Sequence, residues 1–195
     1  MVLGSLFLVF LATTLIIATS FYFVKLTLSF LVVILAFFFS MVWYWLISKK
    51  YQCKKIIIPF GFITILCSCI FVSGIFYDFS YDGQSYHQAT VLQLINGFNP
   101  VYDKVGGTLF NITETDPRAA ELNAAALYKI TGNIEKSKSS NMVLIITTFL
   151  IALATILSVT KIKIEKSLVI AFLIAVNPVS IYQSLSYMVD GQFAC

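Results

Sequence analysis

Five apolar runs leave this chain little choice of solvent. They lie near residues 2–24, 27–48, 56–76, 141–159 and 167–187, and each is close to the roughly 20 residues that a helix needs to cross the hydrocarbon core of a bilayer. A backbone in lipid has no water to bond to and must close its own hydrogen bonds, which favours helices. Composition agrees, since 59% of the 195 residues are hydrophobic and 11% are charged, against about 25% charged in soluble domains. The sequence predicts an all-α, polytopic membrane bundle of about five transmembrane helices.

The lysines orient it. The first run reads as a retained span rather than a signal peptide, because no Lys or Arg precedes Lys25 and a second apolar run follows at once. Lys49, Lys50, Lys54 and Lys55 crowd the loop between runs two and three, and Lys161, Lys163 and Lys166 the loop between runs four and five. Short Lys-rich loops stay in the cytoplasm, and two spans separate these loops, so both give the same orientation. The expected N-terminus is cytoplasmic, with Lys25 and the long segment 77–140 external. The chain thus divides into three spans in 1–76, an external loop in 77–140, and two further spans in 141–195 that end in an acidic motif. The loop holds seven acidic and five basic residues, which excludes the one-signed basic surface of a nucleic-acid binder. Cys67 and Cys69 lie in a span, Cys53 in a Lys-rich loop and Cys195 at the end, so they read as apolar filler and form no paired disulfide spacing.

A segment as long as 77–140 needs structure of its own. Gln88, Val91, Leu92 and Ile95 recur at helical spacing over Gln84–Asn96, with Gly97 and Pro100 as the stop. A second helix is expected from Asp116 as N-cap and Pro117 at its first position, through an Ala-rich stretch to Gly132. Both are modestly amphipathic and are expected to lie on the membrane surface, or to pack on the ends of the spans. Asn111-Ile112-Thr113 between them matches a glycosylation sequon.

Two carboxylate motifs are expected on one face, because runs three and five traverse in the same direction. One holds Asp78 and Asp82, the other Asp190, and Asp-Gly-Gln occurs in both, at 82–84 and 190–192. Glycine there suits a sharp turn or close approach to a ligand. Charge bordering a span is rare unless used, which singles out Asp82 and Asp190; headgroup water is the plainer account of Asp78 and Asp103. His87, the one histidine, reads first as a polar tip on an interfacial helix. A divalent metal on Asp78, Asp82 and His87 is chemically admissible without diagnostic spacing. Tyr77, Phe79, Tyr81 and Tyr86 fit an interfacial aromatic belt and also suit a sugar-stacking wall. Arg118, the one arginine, has the fork that fits phosphate; Lys104, Lys129, Lys136 and Lys138 are weaker candidates whose default is solvated charge.

The stretches "YDGQSYH", "LQLINGFNPVYD", "LYKITGNIEKSKSSN" and "NPVSIYQSLSYMVDGQ" resemble the polytopic GT-C glycosyltransferases, a group that includes protein mannosyltransferases and lipid A aminoarabinose transferases. The resemblance covers about residues 70–195 and centres on Asp82, Asn177-Pro178, Gln183, Tyr187 and Asp190. It implies sugar transfer from a polyprenyl-phosphate donor on the external face of a bacterial plasma membrane. Asp82 falls on the catalytic acidic position, with Asp78 competing, and Asp190 on a second acidic or metal-binding position. Gln84, Tyr86, His87, Arg118, Lys136, Gln183 and Tyr187 then belong to substrate binding. GT-C proteins have eight or more spans, so the chain resembles the N-terminal part of a longer protein. Two other classes stand beside this one. A transporter or flippase calls for ionisable groups near the midplane and interrupted helices, neither evident in the sequence, and a non-catalytic anchoring subunit needs only the spans and their cap.

Overall fold

The computed structural model describes residues 1–51, 56–104 and 119–188, and every regular element within them is helical. Helices α1 (Val2–Phe23), α2 (Leu31–Tyr51) and α3 (Ile57–Ile75) follow the first three apolar runs. Pro59 is tolerated because it sits in the first turn of α3, where no intrahelical N–H bond is lost. Helix α1 ends on Lys25, whose φ is 59°, while Leu26 N–H reaches back to Phe21 O at 2.8 Å and closes the last turn.

Two short helices, α4 (Gln88–Ile95) and α5 (Ala119–Thr131), build the cap, followed by the single turn α6 (Ile134–Ser137) and the long helix α7 (Ser140–Val159). Among the described residues, four helices are long and apolar enough to cross a membrane, namely Val2–Phe23, Leu31–Lys49, Ile57–Ile75 and the joined Ile134–Val159. The fourth therefore begins earlier than the expected residue 141, because Asn133 caps α6 by accepting the Lys136 N–H at 3.2 Å.

The fifth run departs from a continuous span over 167–187. It folds as α8 (Ile164–Ala175) and α9 (Pro178–Gln183). Pro178 disfavours helical backbone at Asn177, which is extended with φ −76° and ψ 157° and accepts the Ser180 N–H at 2.9 Å. The broken run still passes the full length of α7. It starts just after α7 ends, and Asn141 at the opposite end of α7 donates through Nδ2 to the carbonyls of Gln183 and Ser186 at 3.1 and 2.7 Å. An interrupted helix, invisible in the hydropathy, is thus present.

Helix α1 is the hub, packing on α2, α3, α5 and α7. A Cβ on Gly4 would lie 2.9 Å from Ile151 Cγ1, so glycine sets how closely α1 and α7 approach. Phe10 and Phe37 sit 5.9 and 6.0 Å from Phe62, ring centroid to centroid. Phe10 and Phe62 lie thirteen residues from the cap ends of their helices and Phe37 only six, so α2 starts about 10 Å deeper than its neighbours.

Helix α5 fills the space above α2 and packs on α1, α2 and α4. Val91 and Leu94 of α4, with Leu122 and Ala124–Leu127 of α5, are buried. The two helices therefore pack on the ends of the spans, the second of the two expected placements, because their small and apolar faces have protein partners. Their stops are as expected, with Gly97 at φ 100° and Gly132 at φ 61°. Side chains stitch this cap to α1, with Tyr22 Oη donating to Leu94 O, Asn99 Nδ2 to Tyr22 O and Tyr102 Oη to Phe23 O. Lys129 is not a solvated charge but a C-terminal cap, its Nζ 2.8 Å from Ile95 O. The expected Asp116–Pro117 start and the sequon at Asn111 lie outside the described residues.

Candidate functional site

Past α3 the backbone turns extended at Phe76, and two residues later Asp78 becomes a knot. It is 1% exposed. Its Oδ1 accepts Ser80 N–H at 2.8 Å and Ser80 Oγ–H at 2.6 Å, a local turn of the kind aspartate favours. Its Oδ2 accepts the Tyr187 N–H at 2.7 Å, from 109 residues away. Its own N–H donates to Glu135 Oε2 at 3.1 Å, and Gln84 Nε2 donates to its carbonyl. One residue thus ties together the end of α3, the turn α6 and the end of the fifth run.

Gly83 makes room for this. It opens a π-helical turn, Gly83–His87, that leads into α4, and a Cβ on it would overlap Asp78 Oδ2 and Ser80 Oγ. Close approach is the reason for glycine in this Asp-Gly-Gln, and what approaches is Asp78 rather than a ligand. Gly83→Ala is expected to push the Asp78 carboxylate off Tyr187 N–H and to cost about 1–3 kcal/mol. Thermal unfolding of the detergent-solubilised protein measures this, and an unchanged midpoint would refute the tight fit.

Two side-chain pairs flank the knot. Lys138 is 1% exposed and donates to Glu135 Oε2 and, at 2.7 Å, to Phe76 O. His87 Nδ1 lies 2.5 Å from Glu121 Oε1, and both side chains are buried. The expectation of His87 as a polar interfacial tip is thereby corrected: the π-helical turn rotates it inward, where α5 presents Glu121. The ring of Tyr86 stands 4.2 Å from that of His87.

Tyr187 lies beyond the end of α9 and is held by Ser137 Oγ and Ile134 O through its hydroxyl. It is 5% exposed, with the Glu135 and Asp78 carboxylates nearby in the same network. Gln183 is buried with its carbonyl on Asn141. A void of about 10 Å³ lies among Glu121, Lys138, Asn141, Ser186 and Tyr187, about one water in size, and Glu121 Oε2 is buried without a hydrogen-bond partner.

Asp82 differs from every other described carboxylate of the cap. It is half-buried at the start of the π-helical turn, and among the described residues it makes no hydrogen bond or ion pair. Beside it, Phe79 and Tyr81 stand 85% and 84% exposed. Lys136 lays its methylenes on Gly74. Asp190 and Arg118 lie outside the described residues.

Asp78, Asp82 and His87 do not assemble as a metal site. Among the described residues no three His, Cys, Asp or Glu side chains are placed to hold a metal ion, because donors surround Asp78 and Glu121 takes His87. Glu121, Glu135, Ser137 and Asn141 were not singled out by the sequence as site residues, and Lys138, read by default as a solvated charge, is enclosed instead. Glu135 and Lys138 carried a legible signal, opposite charges three residues apart, and Glu121 carried another, a charge on the Ala-rich face of α5. Comparison with known protein families, curated proteins and solved structures gives no match.

Proposed function

We propose that the protein is a membrane glycosyltransferase of GT-C type, moving a sugar from a polyprenyl phosphate to an acceptor hydroxyl at the external face of a bacterial plasma membrane. The observation that supports this most is the half-buried Asp82 carboxylate, without a hydrogen bond or ion pair among the described residues, four residues after the enclosed Asp78. Polyprenyl phosphate is a competent leaving group, so the protein has to take the acceptor proton, place the sugar and meet the phosphate charge. Asp82 is the base in this reading, and Arg118 meets the phosphate. Gln84 and Tyr187 act indirectly, by holding Asp78 and with it the loop that carries Asp82. Phe79 and Tyr81 supply exposed rings beside it for a sugar face.

Asp82→Asn in membranes of the expressing cell is expected to cut transfer of labelled sugar from polyprenyl phosphate by about 10²–10⁴-fold, with an unchanged unfolding midpoint. Undiminished transfer would overturn the assignment. The break at Asn177–Pro178 favours a second reading, a transporter, since discontinuous helices build substrate sites in such proteins. Aqueous thiol labelling of Ser180→Cys from both sides of the membrane would support that reading, and complete protection would dismiss it.

A further inference from the structure

Helices α2 and α3 both pack on α1 without substantial packing on each other. Between them runs a cleft of about 290 Å³. Phe10 of α1 forms its floor, Val33 and Phe37 one wall, and Leu127 with Ile130 of α5 its roof. The roof exists because α2 starts deep and α5 lies over its end. The one polar side chain on the lining, Thr131, spends its hydroxyl on Leu127 O at 3.0 Å. The described lining holds no charged side chain for a sugar or a hydrated ion, while a hydrocarbon chain meets a nearly wholly apolar surface.

The other wall continues upward. Ile63, Cys67 and Ile70 of α3 line the cleft, and at about 100° per residue Gly74 falls on the same stripe, one turn nearer the cap. On Gly74 lies the Lys136 side chain, so close that a Cβ there would sit 2.6 Å from Lys136 Cγ and 3.0 Å from Cε. Its methylenes thus lie on the apolar stripe of α3 one turn above Ile70, on the cap side of the cleft. Among the described residues the Lys136 ammonium has no hydrogen bond or ion pair. An apolar slot with an unpaired lysine on the stripe that continues one of its walls complements one kind of molecule, an amphiphile with an anionic head.

We propose that this cleft binds one anionic glycerophospholipid from the leaflet on the cap side, with an acyl chain between α2 and α3 and its phosphate on Lys136. The lipid is a bound component and not a reactant, so the proposal does not depend on the transferase reading. It also explains how a gap between two spans persists without a protein partner.

The test is native mass spectrometry of the protein released from vesicles of equimolar phosphatidylcholine and phosphatidylglycerol. One retained phosphatidylglycerol is expected. Lys136→Gln is expected to lower the preference for phosphatidylglycerol about fivefold, the share that one basic residue contributes to anionic-lipid attraction. Cys67→Trp, at an exposed position in the cleft, is expected to abolish retention; Ile34→Trp on the facing wall, also exposed, serves if the first variant does not fold. Equal retention of both lipids, a preference unaltered in Lys136→Gln, or retention undiminished by a folded tryptophan variant would overturn the proposal. Displacement of the phospholipid by added polyprenyl phosphate at equal concentration would also overturn it, by making the cleft a donor site.

Discussion

Lys138→Met is expected to destabilise the folded protein by about 3–5 kcal/mol, the range for removing one partner of a buried ion pair. The ammonium is buried and joins Glu135 Oε2 to Phe76 O. Methionine fills most of the volume but bonds to neither, and Glu135, which also holds the Asp78 N–H, keeps a charge without its cation. The double variant Lys138→Met, Glu135→Gln is expected to recover a large part of the loss, since it leaves neither member of the pair as a charge without its partner. Denaturant unfolding in detergent measures both. A Lys138→Met protein as stable as the parent would mean that water reaches this pair.

Asp78→Ala is the second large effect. It leaves the N–H groups of Tyr187 and Ser80 facing a void, and each unpaired buried donor costs about 1–3 kcal/mol. The consequence reaches far along the chain, because the Tyr187 bond ties the end of the fifth run to the loop after α3. Hydrogen exchange at residues 183–188 is expected to quicken together with the fall in stability. Asp78→Asn should recover only part, as its amide turns a donor toward donors. The contrast with Asp82 is the informative one. Asp82→Asn breaks no bond of the described structure, so it should change chemistry and leave stability alone, whereas Asp78 variants should lose stability first. If both aspartates behaved alike in unfolding, the division of labour between them would fail.

The helices of the cap show why some of this was legible in the chain and some was not. Gly97 and Gly132 end α4 and α5 where the sequence puts them, because a positive φ is a local demand that glycine meets. The break at Asn177–Pro178 was also written locally, as a cap residue followed by proline, but hydropathy averaged over it and yielded a continuous span. His87 was misplaced for another reason. Its direction depends on the π-helical turn before it and on Glu121, 34 residues further on, and periodicity within one helix holds neither.

By itself the sequence determined that the chain is a helical membrane protein, where most of its helices begin and end, and which short segment gathers its acids and aromatic rings. These follow from transfer free energy and from local backbone preference, both of which act over a few residues. Only the tertiary structure decided that Asp78 is enclosed and Asp82 is left unpaired, that Glu121, Glu135 and Lys138 complete the network, and that α2 and α3 stand apart around an apolar cleft. Burial and pairing of a charge depend on what distant segments bring to it, and a carboxylate reads the same in the sequence whether a backbone N–H or open water waits at its oxygen.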